Sequence, residues 1–132
     1  MTTRVVRLTD QHRRQIVEHC EAWQPNEGCG LIAMDGDTVT AVFPTDNELA
    51  SPTGFTIPPQ QHLDALLDAE ASGWRLGGVF HSHPNGPPVP SEIDIYAALD
   101  PEWIYLVVGL AGGVQIRAWS IANGKVAEIS LN

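Results

Sequence analysis

The sequence predicts one α/β domain in which a mixed β-sheet is flanked by helices, and three observations predict it. The chain has 132 residues, 43% of them hydrophobic, which is room for a single core and not for two stacked domains. Short apolar or alternating runs recur as strands, and among them lie segments whose apolar residues repeat at helical spacing. Asp35-Gly36, Gly112-Gly113 and Asn123-Gly124 punctuate the strands with turn chemistry. The domain is expected to run over residues 1–132 without a repeat, a low-complexity tract or a linker.

Arg4-Val5-Val6-Arg7-Leu8 reads as a short strand. Asp10 can cap the helix that follows, whose apolar positions Ile16, Val17, Cys20 and Trp23 recur at helical spacing until Pro25 stops it. Gly30–Met34 and Thr38–Phe43 flank Asp35-Gly36-Asp37, and an Asp-Gly turn between two apolar runs predicts a β-hairpin. From Pro44 to Pro58 the chain is rich in Pro, Ser, Thr, Asn and Asp, the composition of a long surface loop. Pro58-Pro59 opens a second helix, in which Leu63, Leu66, Leu67 and Ala71 form the stripe expected to face the sheet before Ser72-Gly73 end it.

Trp74 to Phe80 is a strand that runs straight into His81-Ser82-His83-Pro84. A Pro/Gly-rich loop, Asn85 to Pro90, precedes Ser91, and Glu92 to Leu99 reads as a short helix closed by Asp100-Pro101. Trp103 to Leu110 is a buried strand, and Val114 to Ile121 and Lys125 to Leu131 are the last two. Trp23, Trp74, Trp103 and Trp119 follow core periodicity and read as packing, whereas His12, His19 and His62 fall on helix surfaces.

Composition excludes several classes of function. Seven Lys+Arg against sixteen Asp+Glu give a net charge of -9, the wrong sign for capturing a phosphate backbone, so nucleic acid is not an expected partner. No apolar run approaches the roughly 18 residues that span a bilayer, and Met1-Thr2-Thr3-Arg4 lacks the pattern of a signal peptide. The expectation is a cytoplasmic protein with no membrane partner. Cys20 and Cys29 are too few for a disulfide scaffold and fit reduced thiols.

The chemistry starts where the fourth strand, Trp74 to Phe80, ends. His81, His83, Ser91 and Asp94 fall within fourteen residues. The side-chain period of a strand is two, so His81 and His83 point to one side and can place two imidazole nitrogens on one ion, while Ser82 points away. Asp94 follows Ser91 by three residues, which puts both on one face of a helix. Two histidines and a carboxylate make a three-ligand zinc site with a fourth position open to water, the pattern of a catalytic centre. Ser91 has a second reading, because Ser followed three residues later by Asp is also a helix N-cap signature. Cys29 reads as a small buried hydrophobe, outside the ligand set.

The full spacing, His81-x-His83-Pro84, five residues, Pro90-Ser91-x-x-Asp94, resembles the signature of the JAMM (MPN-plus) zinc metalloproteases at every defined position. Pro25-Asn26-Glu27-Gly28-Cys29-Gly30-Leu31-Ile32 is similar to the upstream half of that pattern, and Asn47 and Pro52-x-x-Phe55 resemble the segment that bacterial members carry before their second helix. The resemblance implies a cytidine-deaminase-like MPN fold with a curved sheet. It also implies Zn2+ held by His81, His83 and Asp94, Glu27 as general acid/base, and Ser91 as hydrogen-bond donor to the oxyanion. The implied activity is hydrolysis next to the C-terminal Gly-Gly of ubiquitin-like proteins.

Only Ile95 to Glu102 separate Asp94 from the next strand, which leaves no room for the long insertion with which eukaryotic-type members grip ubiquitin. The chain is similar instead to short bacterial members that trim an amino acid, cysteine, from a ubiquitin-like sulfur-carrier protein. A deconjugase of ubiquitin-like conjugates would share every catalytic residue, and a non-catalytic MPN scaffold would not need this intact set. The sequence admits a homodimer.

Overall fold

The computed structural model describes residues 4–132; Met1, Thr2 and Thr3, part of the expectation about the start of the chain, lie outside the described residues. Ten elements follow one another: β1 (Val5–Val6), α1 (Asp10–Trp23), β2 (Cys29–Asp35), β3 (Thr38–Thr45), α2 (Pro59–Ala71), β4 (Arg75–His83), α3 (Glu92–Ala97), β5 (Ile104–Gly109), β6 (Gln115–Ala122) and β7 (Lys125–Leu131). The seven strands form one sheet in the order β1-β7-β6-β5-β4-β2-β3. β4 lies near its middle, antiparallel to β2 and parallel to β5, so the sheet is mixed. The connection from β4 to its parallel neighbour β5 carries α3.

Alternation along the strands divides the core between two faces. On one face Phe80, Ile104, Leu106, Val108 and Ile32 pack with Ile16 and Cys20 of α1. On the other, Leu31, Val79, Tyr105, Val107 and Trp119 pack with Ala65 of α2, with Ile95 and Ala98 at the edge of the cluster. Asn123 and Gly124, with φ of 53° and 76°, make the tight turn that the Asn-Gly pair predicts between β6 and β7.

Several expectations are corrected. The first strand pairs with β7 only at Val5 and Val6, because Arg7 turns to the opposite edge of the sheet. Its N–H donates to the Asp37 carbonyl at 2.9 Å and its carbonyl accepts from Val39 at 3.0 Å, so the sheet curls until its two edges meet there. The cap of α1 is Thr9 rather than Asp10: Thr9 is extended and its hydroxyl accepts from the His12 N–H. β3 runs on to Thr45, since an edge strand tolerates Pro44.

The face that α2 buries also differs. Ala65 and Ala69 are buried while Leu63 and Leu67 are 46% and 55% exposed. The small side chains let the helix axis come close to the sheet; Leu66 of the expected stripe packs half-buried against the same cluster, and Leu63 and Leu67 are turned outward. Of the four tryptophans only Trp119 is buried; the others are half-buried at element ends. His19 is not a free surface group: its Nε2 lies 3.0 Å from the Cys29 carbonyl and 2.8 Å from that of Thr45, tying α1 to β2 and β3. α3 ends at Ala97, where Ala98 turns extended.

Candidate metal centre

β4 extends through the histidines, ending at His83 rather than Phe80, so its period of two places His81 and His83 on the α2/α3 face. Ser82 points to the α1 face, as expected, and there its hydroxyl accepts from the Gly28 N–H at 2.9 Å while its own N–H donates to the Gly28 carbonyl at 3.0 Å. The strand of the histidines thereby holds the residue next to Glu27. Asp94 arrives from α3, whose cap is Ser91: the Ser91 hydroxyl accepts from the Asp94 N–H, and the Asp94 carboxylate accepts from the Ser91 N–H at 2.9 Å.

Asp94 Oδ2 lies 3.0 Å from Nε2 of both histidines, and the two Nε2 atoms are 3.2 Å apart. The three residues could hold one ion. Ligand atoms about 2 Å from a tetrahedral zinc stand roughly 3.3 Å apart, so the crowding fits. Two imidazole lone pairs and a carboxylate at this distance repel one another unless a cation or protons lie among them. His83 Nδ1 donates to the Pro87 carbonyl at 2.9 Å, which in the neutral ring fixes the proton there and turns the Nε2 lone pair into the site. His81 is held by stacking on Phe55, ring centroids 4.7 Å apart. Trp119 Nε1 donates to the Pro88 carbonyl at 3.0 Å and so anchors the proline loop that orients His83.

The electrostatics match this arrangement. Burial pushes the Asp94 carboxyl up, but hydrogen bonds with His81 and His83 outweigh it and hold the group well below the usual carboxylate range. The His83 imidazole is raised: burial lowers it, and the Asp94 and Pro87 hydrogen bonds overcome that. Glu27 is 4% exposed, and its Oε1 is buried without a hydrogen-bond partner. Burial pushes its pKa up to about 7; nearby His83 opposes the rise and Asp94 adds to it.

Glu27, His83 and Ser91 line one open cavity of about 520 Å3 together with Pro52, Thr53 and Pro90. A second cavity, about 440 Å3 and lined mainly by apolar side chains such as Phe55, Val79 and Trp103, has His81 and Asp94 in its wall. The structure thus brings together all five residues singled out from the sequence. Cys29 stays apart: its Sγ lies 3.4 Å from Thr45 Oγ1 and from the Asp46 carbonyl, and burial pushes its thiol up to about 11. Pattern reading missed Phe55 and Pro87 as supports of the histidines. Pro87 falls in the loop that follows the histidines and Phe55 in the Pro52-x-x-Phe55 segment, which are signals; neither spacing says which histidine it supports.

Residues 9–122 match the family described as prokaryotic homologs of the JAB domain. A desampylase of Haloferax volcanii is 32% identical over 127 residues, which cover 91% of each chain. A probable TtuB-protein conjugate cleaving protease of Thermus thermophilus is 36% identical, over 81% of this chain and 68% of its own. A CysO-cysteine peptidase of Mycobacterium tuberculosis is 26% identical, over 89% and 83% respectively. Among solved structures, protein DSY2949 of Desulfitobacterium hafniense has a TM-score of 0.87 at 34% identity, over 96% of this chain and 91% of that one. A JAB1/MPN domain protein of Archaeoglobus fulgidus, at a TM-score of 0.57 and 17% identity over 89% and 91%, shares the fold. With its ligand geometry and its family model in agreement, the chain belongs to the prokaryotic homologs of the JAB domain and is a hydrolase.

Proposed function

We propose that the chain is a zinc-dependent metallopeptidase that hydrolyses the amide bond after the C-terminal Gly-Gly of a small ubiquitin-like sulfur-carrier protein, releasing cysteine. One observation carries the peptidase reading: three crowded ligand atoms stand beside a buried carboxylate with an unpartnered oxygen, and Glu27, His83 and Ser91 share one open cavity. The protein substrate class rests on the relatives named for cleaving TtuB conjugates and for acting on CysO-cysteine.

His81, His83 and Asp94 would hold the zinc, which when bound supplies Lewis acidity toward the scissile carbonyl and toward water. Glu27 takes the proton from the attacking water and passes it to the leaving amine, and a pKa near neutrality suits both transfers. Ser91 Oγ already accepts from the Asp94 N–H, so its own proton is free for the oxyanion, a contact of about 3 kcal/mol in other hydrolases. A Gly-Gly pair has no side chains to hold its backbone away from the lining of this cavity, which includes Pro52 and Pro90.

The second reading, a deconjugase acting on Gly-Gly linked to a lysine, is favoured by the higher identity to the desampylase and the conjugate-cleaving protease than to the CysO-cysteine peptidase. Intact-mass spectrometry separates the two. A carrier ending in Gly-Gly-Cys and a carrier joined through Gly-Gly to a lysine are each incubated with zinc-loaded wild type and with Glu27→Gln. Loss of one cysteine by wild type alone supports the trimming reading, and release of the conjugate alone supports the second. Full turnover by Glu27→Gln would sink the mechanism.

A further inference from the structure

The loop between β3 and α2 is organised around one side chain. Asn47 is 3% exposed, and its amide uses four hydrogen-bonding positions. Nδ2 donates to the carbonyls of Glu27 and Gly54, each at 3.0 Å, and Oδ1 accepts from the N–H groups of Leu49 and Thr56, each at 3.1 Å. The orientation has one solution, since a reversed amide would face donors with donors and acceptors with acceptors. Three of these bonds close the loop on itself. The fourth leaves it for Glu27.

The Glu27 N–H donates to the Ser51 carbonyl at 2.8 Å, so both main-chain polar groups of Glu27 end in this loop. From the other side Ser82 clamps Gly28. Because the buried Oε1 of Glu27 has no partner, the place of the carboxylate is set through its main chain. The bond to Gly54 also seats the neighbouring Phe55, whose ring stacks on His81.

We infer that Asn47 is a positioning residue for the hydrolysis, fixing the Glu27 main chain relative to His81, His83 and Asp94 through the amide that closes the loop. The inference rests on Glu27 acting as proposed above. Reacting groups displaced by about 1 Å lose on the order of 100-fold in rate, so the side chain that fixes this main chain governs turnover without touching substrate.

Asn47→Asp tests it, because aspartate keeps the size and both accepted bonds while losing both donated ones. For the Gly-Gly substrate that wild type cleaves, the zinc-loaded variant should lose about 100-fold in kcat, with KM changed by less than about threefold and zinc stoichiometry retained. Added to Glu27→Gln, the same substitution should lower residual turnover by less than about threefold, since the group it positions is already gone. Amide hydrogen exchange should speed up at Glu27 and stay slow at Leu49 and Thr56. An unchanged kcat, a full additional loss in the Glu27→Gln background, or unaltered exchange at Glu27 overturns the inference. Exchange needs no substrate, so if wild type cleaves neither Gly-Gly species the proposed function falls while the tie from Asn47 to Glu27 is still decided. Should the aspartate variant not fold, Asn47→Ser carries the kinetic comparison and the exchange readout at Glu27, without the Leu49 and Thr56 control.

Discussion

Glu27 is buried at a cost to stability, which the proposed role of general acid/base would require. Its folded pKa of about 7 lies above the ordinary 4.5, so in the metal-free protein folding is unpenalised below the ordinary value and weakens as pH rises through the folded one. Glu27→Gln should therefore stabilise the metal-free protein by about 1–3 kcal/mol at pH 8, with no difference at pH 4, as denaturant unfolding at the two pH values will show. His83→Ala removes a ligand atom and frees the Pro87 carbonyl, and it should abolish both bound metal and turnover, read by metal analysis of the purified protein. Cys29→Ala should leave metal stoichiometry unchanged, since its thiol faces Thr45 and Asp46.

Elements were legible from the sequence where a local period decides them. Two residues along a strand put His81 and His83 on one side, and three residues from the extended cap into the helix bring Ser91 and Asp94 together, because short spacing is geometry the chain carries with it. Glu27 came from a resemblance, since nothing in a lone glutamate after a Pro-Asn turn marks it. What was illegible depends on distance between elements. Of the leucines on α2 that looked like the packed stripe only Leu66 packs; hydrophobicity does not record how close a helix comes to its sheet, and Ala65 and Ala69 take the centre of that face. Accordingly Leu67→Gln should change stability by less than about 0.5 kcal/mol, whereas Ala69→Leu should cost about 1–3 kcal/mol by overpacking. Gly78 makes the same point within the sheet. A Cβ there would lie 2.3 Å from the Ile104 carbonyl oxygen, so Gly78→Ala should cost upwards of about 3 kcal/mol, measurable by thermal unfolding.

At the scale of the whole molecule, the candidate ligands belong to two elements, β4 and α3, so an ion bound there is bound by the folded state alone. A free concentration 100 times the dissociation constant adds about 2.7 kcal/mol to stability. For a chain of 132 residues that is roughly 10 °C, and chelation followed by thermal unfolding should remove it. Position in the sheet has a further consequence, in time rather than space. β2 with β3, and β5 with β6 and β7, are neighbours in sequence and close over short loops. β4 must join these two halves, and its partner β2 is separated from it by β3 and α2, so the seam closes more slowly than either hairpin. Glu27 precedes β2, the histidines lie on β4, and Asp94 is on the connection to β5. The centre lies along that seam, but its candidate ligands come from β4 and α3 alone, so ion capture during refolding becomes a clock for the docking of α3 onto the end of β4.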